Sequence, residues 1–81
     1  GFQTSVYPNP SSGDFNFEFN NPAGEKISVR IYDVIGKKIF EGETFSSQFK
    51  IPNKLLNTGI YTAEIISTQQ KNSLKIIKVN Y

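Results

Sequence analysis

The side chains able to do chemistry are few and scattered. Seven carboxylates (Asp14, Glu18, Glu25, Asp33, Glu41, Glu43 and Glu64) share the chain with nine Lys and Arg and with no His or Cys. Two carboxylates act as acid and base only when both aim at one substrate, and no spacing here aims a pair. Without His there is no Ser–His–Asp relay, and the commonest general base and metal ligand is missing. Without Cys there is no thiol nucleophile, thiolate zinc site or disulfide. Gly36-Lys37 lacks the upstream Gly and the following Ser or Thr of a phosphate-binding loop. Asn9-Pro10-Ser11 holds Pro inside its sequon and is not a glycosylation acceptor. Leu55-Leu56-Asn57-Thr58-Gly59 lacks the Pro and the hydrophobic tail of a Leu-Pro-x-Thr-Gly sorting tag, so it reads as a loop. The chain is expected to be no enzyme and to need no cofactor or metal.

Other partners are constrained as well. A formal net charge of +2 over 81 residues is too mild to name a nucleic-acid partner. Phe15, Phe17 and Phe19 alternate with Asn16 and Glu18 and follow Asp14, the wrong sign for a phosphate track. A core stripe explains them better than a base-stacking platform. No apolar run exceeds three residues, so no segment is expected to insert in a membrane. No stretch among these residues reads as a signal peptide. The chain contains no Met at all, and is expected to be a piece of a larger protein.

The elements that position these residues read as β throughout. Ile27, Val29 and Ile31 alternate with Ser28 and Arg30, and Tyr61, Ala63 and Ile65 with Thr62 and Glu64. Turn signals separate the runs, at Pro8–Gly13, Asn20–Gly24, Val34–Gly36, Pro52–Gly59 and Thr68–Asn72. The spacing predicts seven strands, near 3–7, 14–20, 26–33, 37–43, 47–51, 60–67 and 73–80. Seven short strands in one small domain predict an all-β, immunoglobulin-like β-sandwich of antiparallel strands. The predicted core is Phe15, Phe17, Phe19, Val29, Ile31, Phe49, Tyr61, Ala63, Ile65, Leu74 and Ile76. Tyr61 stands just after a loop, where a tyrosine corner would bond its hydroxyl back to the backbone. The Ile76–Ile77 doublet breaks strict alternation. It predicts either a bulge or a strand with both faces partly covered.

Four motifs then stand in order. Val6-Tyr7-Pro8-Asn9-Pro10-Ser11-Ser12-Gly13 runs into an aromatic alternating strand. Val29-Arg30-Ile31-Tyr32-Asp33-Val34-Ile35-Gly36-Lys37 occupies the middle. Leu56-Asn57-Thr58-Gly59-Ile60-Tyr61 follows, and Lys75-Ile76-Ile77-Lys78-Val79 closes the chain. Together, over residues 5 to 80, they resemble the type A C-terminal sorting domain of the type IX (Por) secretion system. The resemblance implies one domain over residues 1–81, at the end of a larger exported protein. It implies a delivery signal: an N-terminal cargo reaches the periplasm by a separate signal, and the tail is recognised by shuttle proteins and the outer-membrane translocon. A sortase-like peptidase then usually removes the tail, leaving cargo at the cell surface or secreted. Without the resemblance, a stalk or a carbohydrate-binding module of a secreted protein remains the alternative.

The resemblance also points to residues. Pro8, Asn9, Pro10 and Gly13 are candidates for contact with the machinery, although each also suits a loop. Gly36 fits a hairpin turn, and Gly59 and Tyr61 fit the corner. Residues 65 to 81 hold three Lys and no acid, which makes Lys75 and Lys78 candidates for recognition. On their chemistry alone they also suit a solvated edge that discourages aggregation. Strict alternation sets the two on opposite faces, whereas a bulge at Ile76–Ile77 would turn both to solvent.

Overall fold

Alternation decides which face of each strand is buried, and the computed structural model, which describes residues 3–80, follows it closely. The strands are β1 (Thr4–Tyr7), β2 (Phe15–Phe19), β3 (Ile27–Tyr32), β4 (Lys38–Thr44), β5 (Gln48–Ile51), β6 (Gly59–Ile66) and β7 (Lys71–Lys78). One short 3-10 turn, Asn53–Leu55, lies between β5 and β6. Three strands form one sheet in the order β1-β2-β5, and four form the other in the order β4-β3-β6-β7. Every pairing within them is antiparallel. The result is the two-layer sandwich expected of the pattern.

The core lies between the layers. Phe15, Phe17 and Phe19 project from β2, with Ile51 from β5, against Ile27, Val29 and Ile31 of β3, Tyr61, Ala63 and Ile65 of β6 and Ile76 of β7. Phe49 and Leu74 are only partly buried and pack against this cluster, while Ile27, Ile51 and Leu56 join it. The Phe40 and Phe49 rings meet at 6.0 Å between centroids where β4 of one sheet faces β5 of the other. Gly42 makes that approach possible, because a Cβ there would come within 2.8 Å of the Phe49 ring.

Asp33 and Gly36 fix the hairpin between β3 and β4. The Gly36 amide donates to the Asp33 carbonyl at 3.0 Å, and Gly36 sits at φ +87°, where a side chain would be strained. The Asp33 carboxylate accepts from the amides of Ile35 and Lys37 at 3.1 and 2.9 Å. The expected corner is present also: the Tyr61 hydroxyl donates to the Asn57 carbonyl at 2.7 Å.

One expectation divides. β7 pairs with β6 without interruption from Lys71 to Lys78, so there is no bulge at Ile76–Ile77. Ile76 points into the core and Ile77 is half-buried on the opposite face, which is the two-sided strand. The register shift in this sheet falls instead between Ile31 and Tyr32, against β4.

Candidate functional site

An edge strand leaves alternate N–H and C=O groups without partners. On β7 these groups belong to the odd-numbered residues, and the Pro8–Ser11 segment takes several of them in order. The Asn9 side chain carries one donor and one acceptor, as a peptide group does. Its Nδ2 donates to the Lys75 carbonyl at 2.9 Å, and its Oδ1 accepts from the Ile77 amide at 3.0 Å. Next along the edge, the Ser11 amide donates to the Ile77 carbonyl at 3.0 Å, and the Ser11 carbonyl accepts from the Val79 amide at 2.9 Å. Ser11 thus forms a one-residue parallel bridge to Lys78. The peptide bonds before Pro8 and Pro10 are both cis.

Ser11 also shapes its own turn. Only 2% exposed, it donates from its hydroxyl to the Asp14 carbonyl at 2.7 Å and accepts there from the Gly13 amide at 3.0 Å. The Asp14 carboxylate in turn accepts from the Asn53 amide at 2.7 Å.

Lys78 closes this cluster from the inside. With no bulge in β7, it shares the inward parity of Leu74 and Ile76 rather than the outward parity of Lys75. Its side chain is 6% exposed. The ammonium donates to the Gly13 carbonyl at 3.2 Å, to the Asn53 carbonyl at 2.9 Å and, by a short contact, to Asn53 Oδ1. A buried ammonium is tolerated only when its donors are used, and here neutral oxygens use them. Of the two readings, strict alternation holds and places the lysines on opposite faces, and the bulged one with both facing solvent is corrected: Lys75 is exposed and Lys78 is buried.

Pro8, Asn9, Pro10 and Lys75 therefore lie exposed beside one another, with Gly13 half-buried beneath them. Gly36 lies apart, in the β3–β4 hairpin, whereas Gly59 and Tyr61 pair with Lys78 and Ile76 along β7, and the Tyr61 hydroxyl forms the corner with Asn57. Ser11, Asp14 and Asn53 were not singled out from the sequence, since Ser, Asp and Asn in turns are too common to signal a shared hydrogen-bond network.

The outer face of the four-stranded sheet carries exposed charge. Arg30 donates to Glu41 at 3.0 Å and lies 3.8 Å from Glu64, and Lys38 reaches Glu41 at 2.6 Å. Hydrogen bonds from Lys38 and then Arg30 hold the Glu41 carboxylate below its ordinary range. The same Glu41 contact raises Arg30. On the other sheet, a hydrogen bond to Glu18 raises the Tyr7 phenol. Among the described residues no group of three or more acidic, His or Cys side chains is placed to hold a metal.

Comparison with known proteins bears on the family and the fold. A family model described as the secretion system C-terminal sorting domain matches residues 5–79. Among solved structures, a similar chain is found in that of PorZ, described as an essential bacterial surface component of the type-IX secretion system of Porphyromonas gingivalis from the human oral microbiome. The likeness has a TM-score of 0.72 at 19% identity, covering 95% of this chain and 11% of that one. It is a likeness of fold, and this chain spans only a small part of the PorZ chain. No curated protein sequence matches.

Proposed function

Because the chain belongs to the secretion system C-terminal sorting domain family, the tail of the Por or type IX system, we propose that its sorting signal is the surface where the Pro8–Gly13 turn and β7 meet. A sorting-signal family is not an enzyme family, and the domain implies contact with the secretion machinery and export to the cell surface or beyond. One observation supports the finer reading. The first and last motifs of the sequence bond to each other through Asn9, Ser11, Ile77 and Val79. In this reading shuttle proteins and the translocon grip Pro8, Asn9, Pro10 and Lys75, with Gly13 shaping the turn. Lys78 holds the surface together from below. The cargo lies N-terminal in the same polypeptide and passes through the periplasm. A sortase-like peptidase then removes the tail near or before Gly1, and cargo is released or anchored at the surface.

The test is a reporter carrying an N-terminal export signal and this chain at its C-terminus. It is expected on the surface of cells with the type IX machinery and in the periplasm of cells without it. Lys75→Glu is expected to retain the reporter in the periplasm while leaving the domain's thermal midpoint unchanged. Equal display in both strains would favour a stalk. Normal export of Lys75→Glu, Pro8→Ala and Pro10→Ala together would remove the surface from the signal.

A further inference from the structure

The tip of the β3–β4 hairpin exposes two aliphatic side chains whose types the turn does not require. Val34 is 77% exposed and Ile35 84%. Asp33 and Gly36 set the turn through backbone hydrogen bonds and a positive φ, so polar residues would serve between them. The apolar character continues on the same end of the sandwich. Ile60 of β6 pairs with Ile77 of β7 on the outer face and is 49% exposed, and Leu55 in the nearby 3-10 turn is 46% exposed.

The outer face changes character row by row away from this end. After the Ile60–Ile77 row comes Lys38–Tyr32–Thr62–Lys75, and after that Glu41–Arg30–Glu64–Ser73. An apolar end is thus bordered by a lysine-bearing row with Tyr32 in it, and the carboxylates are held one row further back. Lys37 stands beside the tip itself. Lys38 is tied to Glu41, whereas among the described residues Lys37 and Lys75 make no ion pair. The one acid at the tip, Asp33, is turned to the amides of the loop.

We propose that this end of the domain rests on an anionic lipid surface, with Val34 and Ile35 dipped into the boundary between headgroups and acyl chains. The contact is peripheral and crosses nothing. Lysines with long apolar stems suit such a boundary, since the stems lie along apolar surface while the ammonium groups stay with the headgroups. A protruding tip needs no shaped cavity in a lipid surface, and the lysines complement anionic headgroups. Two copies meeting tip to tip would set lysine against lysine, which disfavours self-association there.

The test is flotation of the whole chain with vesicles of phosphatidylcholine alone or with about 30% phosphatidylglycerol. Binding to the anionic vesicles alone is expected, and it should fall several-fold as salt rises from roughly 0.1 to 0.5 M. Val34→Ser with Ile35→Ser is expected to lower partitioning by about 10-fold or more, since two aliphatic side chains no longer leave water. Lys37→Glu is expected to weaken binding with both apolar residues in place. Both variants should keep the wild-type thermal midpoint, because the side chains concerned are exposed. Failure to float with anionic vesicles would overturn the proposal, as would binding unchanged by the double substitution. If that substitution blocks surface display of a reporter yet leaves vesicle binding intact, the tip docks on a protein and the lipid assignment is wrong.

Discussion

Lys78 donates its ammonium to the main-chain carbonyl of Asn53 at 2.9 Å, across 25 residues of sequence. Since the same ammonium also reaches Gly13, it ties β7 to two turns at once. Lys78→Met keeps the stem but takes the ammonium away from these partly buried carbonyls. Such a loss is expected to cost about 1.5–3 kcal/mol, the range of a hydrogen bond to a charged group. Lys75→Ala, at an exposed position, is expected to stay within about 0.5 kcal/mol of wild type. Urea unfolding of the two variants checks this, and equal midpoints would contradict it. A double substitution of the two lysines cannot separate recognition from folding, because only one of them is free of structural duty.

Asn9 substitutes for a strand with its side chain. Asn9→Ala removes the partners of the Lys75 carbonyl and the Ile77 amide, and is expected to destabilise by about 1 kcal/mol. The sharper readout is hydrogen exchange, where the Ile77 amide should lose protection while the Val79 amide, held by Ser11, loses less. Uniform loss along β7 would mean that the edge opens as one unit.

Phe17 is fully buried at the centre of β2. Phe17→Ala is expected to cost about 3–5 kcal/mol, enough to unfold a domain of ordinary stability. Circular dichroism at 25 °C decides it, and a native spectrum with a small midpoint change would place Phe17 outside the working core.

Tyr61→Phe removes only the hydroxyl that donates to Asn57. The expected cost is about 1 kcal/mol or more, read as a shift in denaturant midpoint at constant slope. An unshifted midpoint would show that solvent satisfies the Asn57 carbonyl equally well.

Glu41 gives the pH dependence a sign. Lys38 and Arg30 lower its folded-state pKa. The stability it contributes is therefore present above the unfolded-state pKa and lost as pH falls through the folded-state value. Glu41→Gln has no such contribution to lose. The wild-type advantage over Glu41→Gln should appear at neutral pH and fade on acidification through the carboxylate range. It should stay small throughout and shrink in salt, because the pairs are solvent-exposed. An advantage that grew with acid would contradict the assigned partners.

Most of the sandwich was legible from alternation. Phe15-Asn16-Phe17-Glu18-Phe19 and Ile27–Ile31 each bury one face and show the other to solvent, and a period of two is a local property. Tyr61 was legible for a similar reason, since the corner forms within a few residues. Lys78 was not. Lysine is among the residues least often buried, and what buries it here is a pair of turns far away in sequence. The Ile76–Ile77 doublet left a bulge and a two-sided strand both open, and the second holds, because a half-covered outer face comes from neighbours that the local pattern does not name. Of the recognition candidates, the pairing of the Pro8–Gly13 turn with the Lys75–Val79 strand could not be read at all, because no periodicity links residues 68 apart.

That separation makes the tail self-checking. The Ile77 amide and the Asn9 side chain are partners across 68 residues, so the turn is not held in place until β7 has been made and has paired with β6. A polypeptide still emerging from the ribosome, or one cut by a protease after Leu74, offers the prolines on a loose turn with Lys75, Ile77 and Val79 missing. Only a finished and intact fold presents the two motifs side by side, so an address written across this junction also certifies the integrity of the domain that carries it.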